Sequence, residues 1–242
     1  MTTLTFGHKQ FAPRLIIFDK DGTLIDFRAM WSDWIGEVAR GLVAATNLPI
    51  RERFLRVMDV DPRTHEIEPS GTLALEPMTR LREISAQFLR DSGLSASAAE
   101  SALAHVWRAP DPVAQAKPLT DLQALFGKLR AHGIQIAVAT ADDRAATEAT
   151  LRSLKLNTFI SAVVCADDGL PIKPAPDMIL TICERLAIAP AQTVMIGDAM
   201  PDVQMGRAAR VGLVVGVLSG ITPQARLAPY VDVVLNSIAE IF

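Results

Sequence analysis

Short runs of consecutive apolar residues recur along the chain, and each run has the length of a buried β-strand. A strand covered on both faces needs apolar side chains at successive positions rather than at alternate ones, so these runs predict strands inside a covered sheet. The six runs are residues 15–18, 134–139, 162–165, 193–196, 213–217 and 231–235.

Helical patterns separate the later runs from one another. Residues 119–132 place apolar side chains at helical spacing, and Gly133 follows where such a helix would end. Residues 144–154 and 177–186 are the other two predicted helices of this half. Because strands and helices alternate, the sequence predicts an α/β fold with a doubly wound parallel sheet that helices cover on both faces.

A long stretch between the first and second strands breaks this alternation. It contains no strong strand-like run, and its apolar positions follow a helical period instead. We therefore predict an all-helical domain at 27–117, inserted into an α/β core made of 1–26 and 118–242. The predicted helices of the insert are residues 29–46, 50–57, 77–92 and 97–106.

Composition narrows the classes of function that remain. Half of the residues are hydrophobic and only 5% are aromatic, so the chain has ample aliphatic material for a core. The 24 basic residues nearly balance the 27 acidic ones, and the net charge is −3. This balance argues against a protein that binds nucleic acid through bulk attraction, and we expect no nucleic-acid partner.

Cysteine use and hydropathy favour a cytoplasmic protein. Cys165 and Cys183 both lie in apolar runs, where buried free thiols are the ordinary interpretation and a disulfide framework is not expected. The first ten residues lack the apolar core of a secretory leader. The most apolar run, residues 211–218, is far shorter than a membrane span requires, so we expect no membrane association.

Polar residues of one chemical kind follow the ends of the predicted strands. In open α/β sheets, ligands bind beyond the carboxyl ends of the strands, near the point where the strand order reverses. Taken alone, each of these residues is also compatible with a turn, a helix cap or a solvated side chain. The set in chain order is Asp19, Asp21, Thr140, Lys173, Asp198 and Asp202.

The chemistry of this set points to a phosphate group and a hard metal ion. Carboxylates without a cluster of histidines or cysteines suit an oxygen-loving cation, for which Mg²⁺ is the default. A lysine and a threonine hydroxyl suit a phosphate. One carboxylate can attack phosphorus to form an aspartyl-phosphate, and a second can act as the general acid and base.

Four segments resemble the motifs of the haloacid dehalogenase superfamily. The resemblance extends over the whole predicted core and places the helical insert where the family carries its cap domain. The overall pattern is similar to phosphoglycolate phosphatase and its relatives. The four segments are residues 19–24 (DKDGTL), 138–140 (VAT), 173–177 (KPAPD) and 197–202 (GDAMPD).

The resemblance implies a role for each matched residue in the first three motifs. Asp19 would be the nucleophile and a Mg²⁺ ligand. Asp21 would be the general acid and base, and its backbone carbonyl oxygen would be a further ligand. Thr140 and Lys173 would hold the phosphoryl oxygens, together with backbone N–H groups around Gly22.

In the fourth motif, the resemblance implies that Asp198 is a metal ligand. Asp202 would bind the metal through a water molecule or orient Lys173. The family's dehalogenases and phosphonatases lack an aspartate two positions after the nucleophile. The presence of Asp21 therefore favours phosphate-ester chemistry, in which an alkoxide leaving group needs a proton.

The sequence departs from the family pattern at two places. Ala141 follows Thr140 where related phosphatases often have asparagine, and the acidic residues Asp142 and Asp143 come next, where we expect N-caps of the following helix. Lys20 replaces the usual apolar residue between the two aspartates. Two interpretations of Lys20 stay open, a solvated neighbour and a contact to the phosphate site.

The predicted insert carries the candidates for substrate recognition. Trp31 and Trp34 lie three positions apart on its first helix, where packing within the insert or against the core is the favoured interpretation. The polar segment 59–66 is the candidate specificity loop, and Arg63 and His65 are its candidate contacts to an anionic or hydroxylated leaving group.

The expected function is a Mg²⁺-dependent phosphatase that acts on a small phosphorylated metabolite, as a monomer or a homodimer. Two alternatives stay open. One is a phosphomutase of the β-phosphoglucomutase type on the same core, and the other is a non-catalytic binding module, since a fold does not by itself prove a function.

Overall fold

The computed structural model describes residues 2–108 and 111–242. The chain forms two compact units. The first unit combines residues 1–27 with 112–242, and the second unit is the continuous segment 28–111. The role of the second unit as a cap stays a prediction.

A parallel sheet of six strands forms the centre of the first unit. The strands lie in the spatial order β5-β4-β3-β6-β7-β8, and each neighbouring pair is parallel. The prediction of a doubly wound α/β core is confirmed. The strands are β3 (Leu15–Phe18), β4 (Gln135–Ala139), β5 (Ala162–Val164), β6 (Thr193–Gly197), β7 (Leu213–Val217) and β8 (Val233–Leu235).

Alternate side chains of β3 pack against helices on opposite faces of the sheet. Leu15 and Ile17 join a buried cluster that includes Ile179 and Ile182. On the other face, the ring of Phe18 lies 5.3 Å from that of Phe126. The helices of this unit are α6 (Leu122–Ala131), α7 (Arg144–Ser153), α8 (Asp177–Leu186), α9 (Met200–Ala208) and α10 (Gln224–Leu227).

Two further strands precede the sheet and were not predicted. The strands β1 (Leu4–Phe6) and β2 (Lys9–Phe11) pair antiparallel as a hairpin, with Gly7 at a φ of +54° in the turn. Such short strands give almost no periodic signal, because three residues hold little more than one alternation.

The named elements of the second unit are all helices. Trp34 packs edge-on against Trp31 and Trp107, with ring centroids 5.5 Å and 5.2 Å away, and its Nε1 donates to the carbonyl oxygen of Arg108. The tryptophans are therefore part of this unit's own packing. The helices are α1 (Phe27–Thr46), α2 (Arg51–Val57), α3 (Thr72–Leu75), α4 (Met78–Asp91) and α5 (Ala96–Val106).

Among the described residues, no helix is both long enough and apolar enough to cross a membrane.

Candidate active site

The order of the strands brings the polar strand ends together. The central strand β3 is flanked by β4 on one side and by β6 on the other, and the chain reverses its direction of progress across the sheet at this point. Asp19, Thr140 and Asp198 each follow the carboxyl end of one of these three strands. They therefore lie where open α/β sheets bind their ligands.

Three carboxylates form a buried cluster at this edge. Asp19, Asp198 and Asp202 each direct one oxygen into a group whose members lie within 4.8 Å of one another. The three residues are only 7%, 2% and 2% exposed. A purely oxygen-donating set of this kind suits a hard divalent cation.

Lys173 closes the cluster from the loop between β5 and α8. Its Nζ donates to Asp19 Oδ1 at 2.5 Å and lies 2.6 Å from Asp202 Oδ1. The second contact lacks the alignment of a hydrogen bond, and Asp202 Oδ1 accepts no hydrogen bond from the described residues. That buried oxygen is consistent with a site that takes a further electropositive ligand.

Burial and mutual repulsion shift the proton affinities in the cluster. Burial raises the pKa of Asp19 to about 6, although Lys173 opposes the rise. Burial and the charges of Asp19 and Asp202 raise the pKa of Asp198 well above its usual range. Burial by itself lowers the pKa of Lys173, but the two carboxylates beside it outweigh that effect and raise the pKa. Three carboxylates facing one ammonium leave an excess of negative charge, which a bound cation would balance.

Asp202 is held by the start of α9. Its Oδ2 accepts a hydrogen bond from the backbone N–H of Ala199 at 3.1 Å, as an acidic residue in the first turn of a helix often does. Gly197 makes room for it, because a Cβ at this position would overlap the Asp202 carboxylate. The side chain is therefore fixed from both sides.

The carboxylate of Asp198 is enclosed by two loops that approach it closely. Thr23 Oγ1 donates to Asp198 Oδ1 at 3.4 Å, and the backbone N–H of Ile221 donates to Asp198 Oδ2 at 3.3 Å. Gly22 and Gly220 both pass so close that a Cβ at either position would collide with this carboxylate. Of these neighbours, the sequence had singled out only Gly22.

Replacing Gly22 by alanine tests this close approach. Gly22 has a φ of +84°, and an added Cβ would lie 2.6 Å from the Asp198 Cγ. We expect a loss of about 1 kcal/mol from backbone strain, plus a further loss from displacing Asp198. The Mg²⁺-dependent phosphate release that the sequence predicts should fall about tenfold or more, because a shift of about 1 Å at a reacting centre has effects of that size.

Gly133→Ala is the matched control for backbone strain. Gly133 has a φ of +74°, and a Cβ there would meet nothing within 4 Å. Thermal unfolding and activity are measured for both variants. Equal losses of stability with unchanged activity in both would contradict the assignment of Gly22 to the site.

Thr140 directly follows β4 and is buried. It is 1% exposed, and its backbone N–H donates to Val164, which extends the pairing of β4 with β5 by one residue. Its Oγ1 accepts from the backbone N–H of Asp142 at 3.1 Å. The structure thus places Thr140 at the predicted edge, one strand away from Asp19.

The side chain of Asp21 is not one of the three that form the carboxylate cluster. It forms an ion pair with Lys20 at 2.8 Å, and Lys20 also pairs with Asp142 at 3.0 Å. Burial raises the pKa of Asp21, although Lys20 opposes the rise. Asp143 is the N-cap residue of α7, as expected, although its side chain makes no capping hydrogen bond. Asp142 lies one residue before the cap and pairs with Lys20, so the expectation that it caps the helix is wrong.

Arg63 and His65 lie in the second unit. Arg63 is exposed, and its backbone N–H donates to Asp61 Oδ1. His65 has a φ of +61°, and its Nε2 lies 2.9 Å from Arg51 Nη2. Their predicted contact with substrate stays a prediction.

The loop after β5 is braced by an arginine that the sequence had not indicated. Arg144, at the start of α7, donates from Nε and Nη2 to the two carboxylate oxygens of Asp168, at 2.8 Å and 2.5 Å. Asp168 Oδ2 also accepts from the backbone N–H of Cys165. This bidentate pair stiffens the loop that leads to Lys173.

A family model described as haloacid dehalogenase-like hydrolase matches residues 13–210. The chain belongs to this family of hydrolases. The predictions of the haloacid dehalogenase family and of an enzyme of the hydrolase class are therefore confirmed. The matched range contains the carboxylate cluster and Lys173.

Members of the family with similar sequences include phosphoglycolate phosphatases. The enzyme of that name from Rhodospirillum rubrum is 31% identical, over 84% of this chain and 79% of the relative. The phosphoglycolate phosphatase of Escherichia coli K12 is 34% identical, over 38% of this chain and 37% of that enzyme.

Solved structures of other haloacid dehalogenase proteins share the fold. A HAD phosphatase from Thermococcus onnurineus has a TM-score of 0.67 at 20% identity, covering 94% of this chain and 95% of that one. A HAD-superfamily hydrolase of subfamily IA from Geobacter sulfurreducens has a TM-score of 0.63 at 18% identity, covering 94% and 93%.

Proposed function

We propose that this protein is a Mg²⁺-dependent phosphatase that hydrolyses a small phosphate monoester through an aspartyl-phosphate on Asp19. The observation that carries the proposal is the buried cluster of Asp19, Asp198 and Asp202, closed by Lys173 at the carboxyl edge of the sheet. Burying this many charged groups costs stability, and such clusters are typical of sites that bind a cation and an anion.

The residues present fit a magnesium ion. Asp19, Asp198 and Asp202 offer oxygen donors only, and the excess negative charge among them favours a cation. A Mg²⁺ ion bound there supplies positive charge that offsets the charge of the phosphoryl oxygens beside these carboxylates.

In the first step, a carboxylate oxygen of Asp19 attacks phosphorus. A new O–P bond forms as the bond from phosphorus to the ester oxygen breaks, and Asp21 gives its proton to the leaving oxygen. Lys173 holds phosphoryl oxygens with its ammonium, which already lies 2.5 Å from Asp19 Oδ1. Thr140 contributes its hydroxyl at the neighbouring strand end.

In the second step, water resolves the aspartyl-phosphate. Asp21, now a carboxylate, takes a proton from the water as the water oxygen bonds to phosphorus. The bond between phosphorus and Asp19 breaks, so Asp19 and Asp21 return to their starting forms. The sum of both steps is ester plus water to alcohol plus inorganic phosphate.

The proposed substrate class is a small anionic metabolite, with 2-phosphoglycolate as the first candidate. The support is the similarity to the Rhodospirillum rubrum phosphoglycolate phosphatase over most of both chains. Arg63 and His65 are the proposed contacts to the part of the substrate beyond phosphorus. The exposed guanidinium of Arg63 suits a carboxylate of the leaving group.

The test is phosphate release from a panel of monoesters, measured in Mg²⁺ and in EDTA. The panel contains 2-phosphoglycolate, sugar phosphates, nucleoside monophosphates and an aryl phosphate. We expect turnover in Mg²⁺ that falls to background in EDTA and returns when Mg²⁺ is restored, because the carboxylate cluster cannot accept a phosphate dianion without a cation.

Asp19→Asn, purified in the same way, is the negative control that measures phosphate release by contaminating phosphatases. Conversion of a sugar phosphate to its isomer without phosphate release would favour a mutase. Folded protein that binds Mg²⁺ but releases phosphate from no ester would contradict the proposal.

A further inference from the structure

Lys20 is a buried lysine whose role the proposed reaction does not explain. Its side chain is only 1% exposed, although it stands between two residues of the site. A buried ammonium is costly unless other charges and hydrogen bonds satisfy it. Its partners therefore indicate what it does.

The ammonium of Lys20 faces two carboxylates. Its Nζ lies 2.9 Å from Asp21 Oδ1 and 2.8 Å from Asp21 Oδ2, and 3.0 Å from Asp142 Oδ2. An ammonium has three protons to donate, and three carboxylate oxygens lie within reach of them. This differs from Lys173, which faces the carboxylate cluster itself.

Asp142 is itself fixed by the end of β4. Its Oδ1 accepts from the backbone N–H of Asp143 at 2.8 Å, and its own N–H donates to Thr140 Oγ1 at 3.1 Å. Its carbonyl oxygen accepts from the N–H of Ala166. Because Asp142 is held at three points, it can anchor Lys20.

We propose that Lys20 is a positioning residue that orients Asp21 for its proton transfers, with Asp142 as its anchor. The inference rests on the function proposed above, in which Asp21 serves as acid and base. Lys20 contacts both oxygens of the Asp21 carboxylate and, through Asp142, links them to the loop that follows β4. The distance between the Asp21 carboxyl group and Thr140 is thereby held constant.

Substrates that differ in their need for an acid separate this role from a general structural one. An alkyl ester such as 2-phosphoglycolate leaves as an alkoxide and needs the proton of Asp21. The second ester is dinitrophenyl phosphate. Its leaving group, dinitrophenolate, needs no proton, so with this ester only the later attack of water on the aspartyl-phosphate needs Asp21. Loss of a residue that positions Asp21 should therefore slow the first step more with the alkyl ester than with the dinitrophenyl ester.

The experiment compares Lys20→Met with the wild type on both esters in Mg²⁺. We expect turnover of the alkyl ester to fall about 10- to 100-fold with a KM that changes little, since a misplaced acid loses part of its contribution. The first burst of dinitrophenolate should stay within about threefold of the wild-type rate, followed by slow steady release.

Three further variants make the comparison decisive. Asp142→Asn keeps the shape of the anchor and should shift the alkyl ester in the same direction but less, which also covers a failure of Lys20→Met to fold. Lys20→Arg should restore part of the lost turnover, because it keeps the charge. Lys155→Met, at an exposed lysine, should behave as wild type.

In folded Lys20→Met and Asp142→Asn, a burst rate on the dinitrophenyl ester that falls as far as turnover of the alkyl ester, or no loss with either ester, would overturn the role of Lys20. Wild-type turnover would still leave the phosphatase proposal standing. If the wild type releases phosphate from no ester of the panel above, the phosphatase proposal fails, and the role of Lys20 fails with it.

Discussion

We expect Asp19→Asn to lower phosphate release from every substrate by at least about 10⁴-fold, the scale seen when a nucleophile is removed. Asparagine keeps the size of the side chain and its place after β3, but its amide cannot attack phosphorus. The loss should appear in kcat, and the protein should remain folded.

Trapping the covalent intermediate checks the assignment directly. Wild-type protein quenched in acid after mixing with radiolabelled substrate should carry label that hydroxylamine removes, as expected for an acyl phosphate, and Asp19→Asn should carry none. Asp91→Asn, at an exposed aspartate of α4, is the matched control and should label normally. Labelled Asp19→Asn protein would mean that a different residue is the nucleophile.

Lys173→Met is expected to have the second-largest effect, on stability as well as on rate. Without the ammonium, Asp19, Asp198 and Asp202 remain buried together, and no other cationic side chain of the described residues forms an ion pair with them. Removing one member of a buried ion pair costs about 3–5 kcal/mol. Turnover in Mg²⁺ should fall about 10²- to 10³-fold, because a charge that stabilises the transferring phosphoryl group is lost.

The loss of stability should depend on pH in a defined direction. Burial already raises the pKa of Asp19 to about 6, and removing Lys173 raises it further. The folded state then holds protons that the unfolded state has released, so the stability of the metal-free variant falls as pH rises from about 4 through 6 and beyond.

Chemical unfolding in EDTA at pH 5 and pH 8 measures this difference, and Mg²⁺ should recover more stability in the variant than in the wild type. Lys155→Met provides the baseline. A variant as stable as wild type at pH 8 without metal would contradict the charge balance described for the cluster.

The sheet was predictable because its strands are apolar at successive positions. Residues 15–18 and 213–217 match β3 and β7 at both ends, and the other four runs match to within two residues. The helices α9 and α10 were missed. Helix α9 begins at Met200, within the fourth motif, where polar residues obscure its period, and α10 has only four residues.

The candidate site was predictable to the extent that its residues follow strand ends. Asp19, Asp198, Asp202 and Lys173 all follow predicted strands, and the parallel sheet brings them together at one edge. The enclosure of Asp198 by Ile221 was not predictable, because the loop after β7 contributes backbone N–H groups, which have no signature in the side chains.

The contact of Lys20 with Asp142 was equally hidden. These two residues are distant in sequence and follow adjacent strands, so their pairing depends on the directions of two side chains. The sequence alone left Lys20 open between a solvated neighbour and a contact to the phosphate site. The burial of its ammonium excludes the first interpretation.

The insertion of the helical unit between β3 and β4 also has a consequence for how the chain folds during synthesis. Leu15 of β3 pairs with Gln135 on one side and with Thr193 on the other, so the strand that carries Asp19 emerges from the ribosome long before either partner exists. The helical unit is continuous, and its short-range contacts can form as soon as it has been made. The strand that precedes Asp19 is thus translated well before its neighbours and pairs with them late, when β4 and then β6 close long loops.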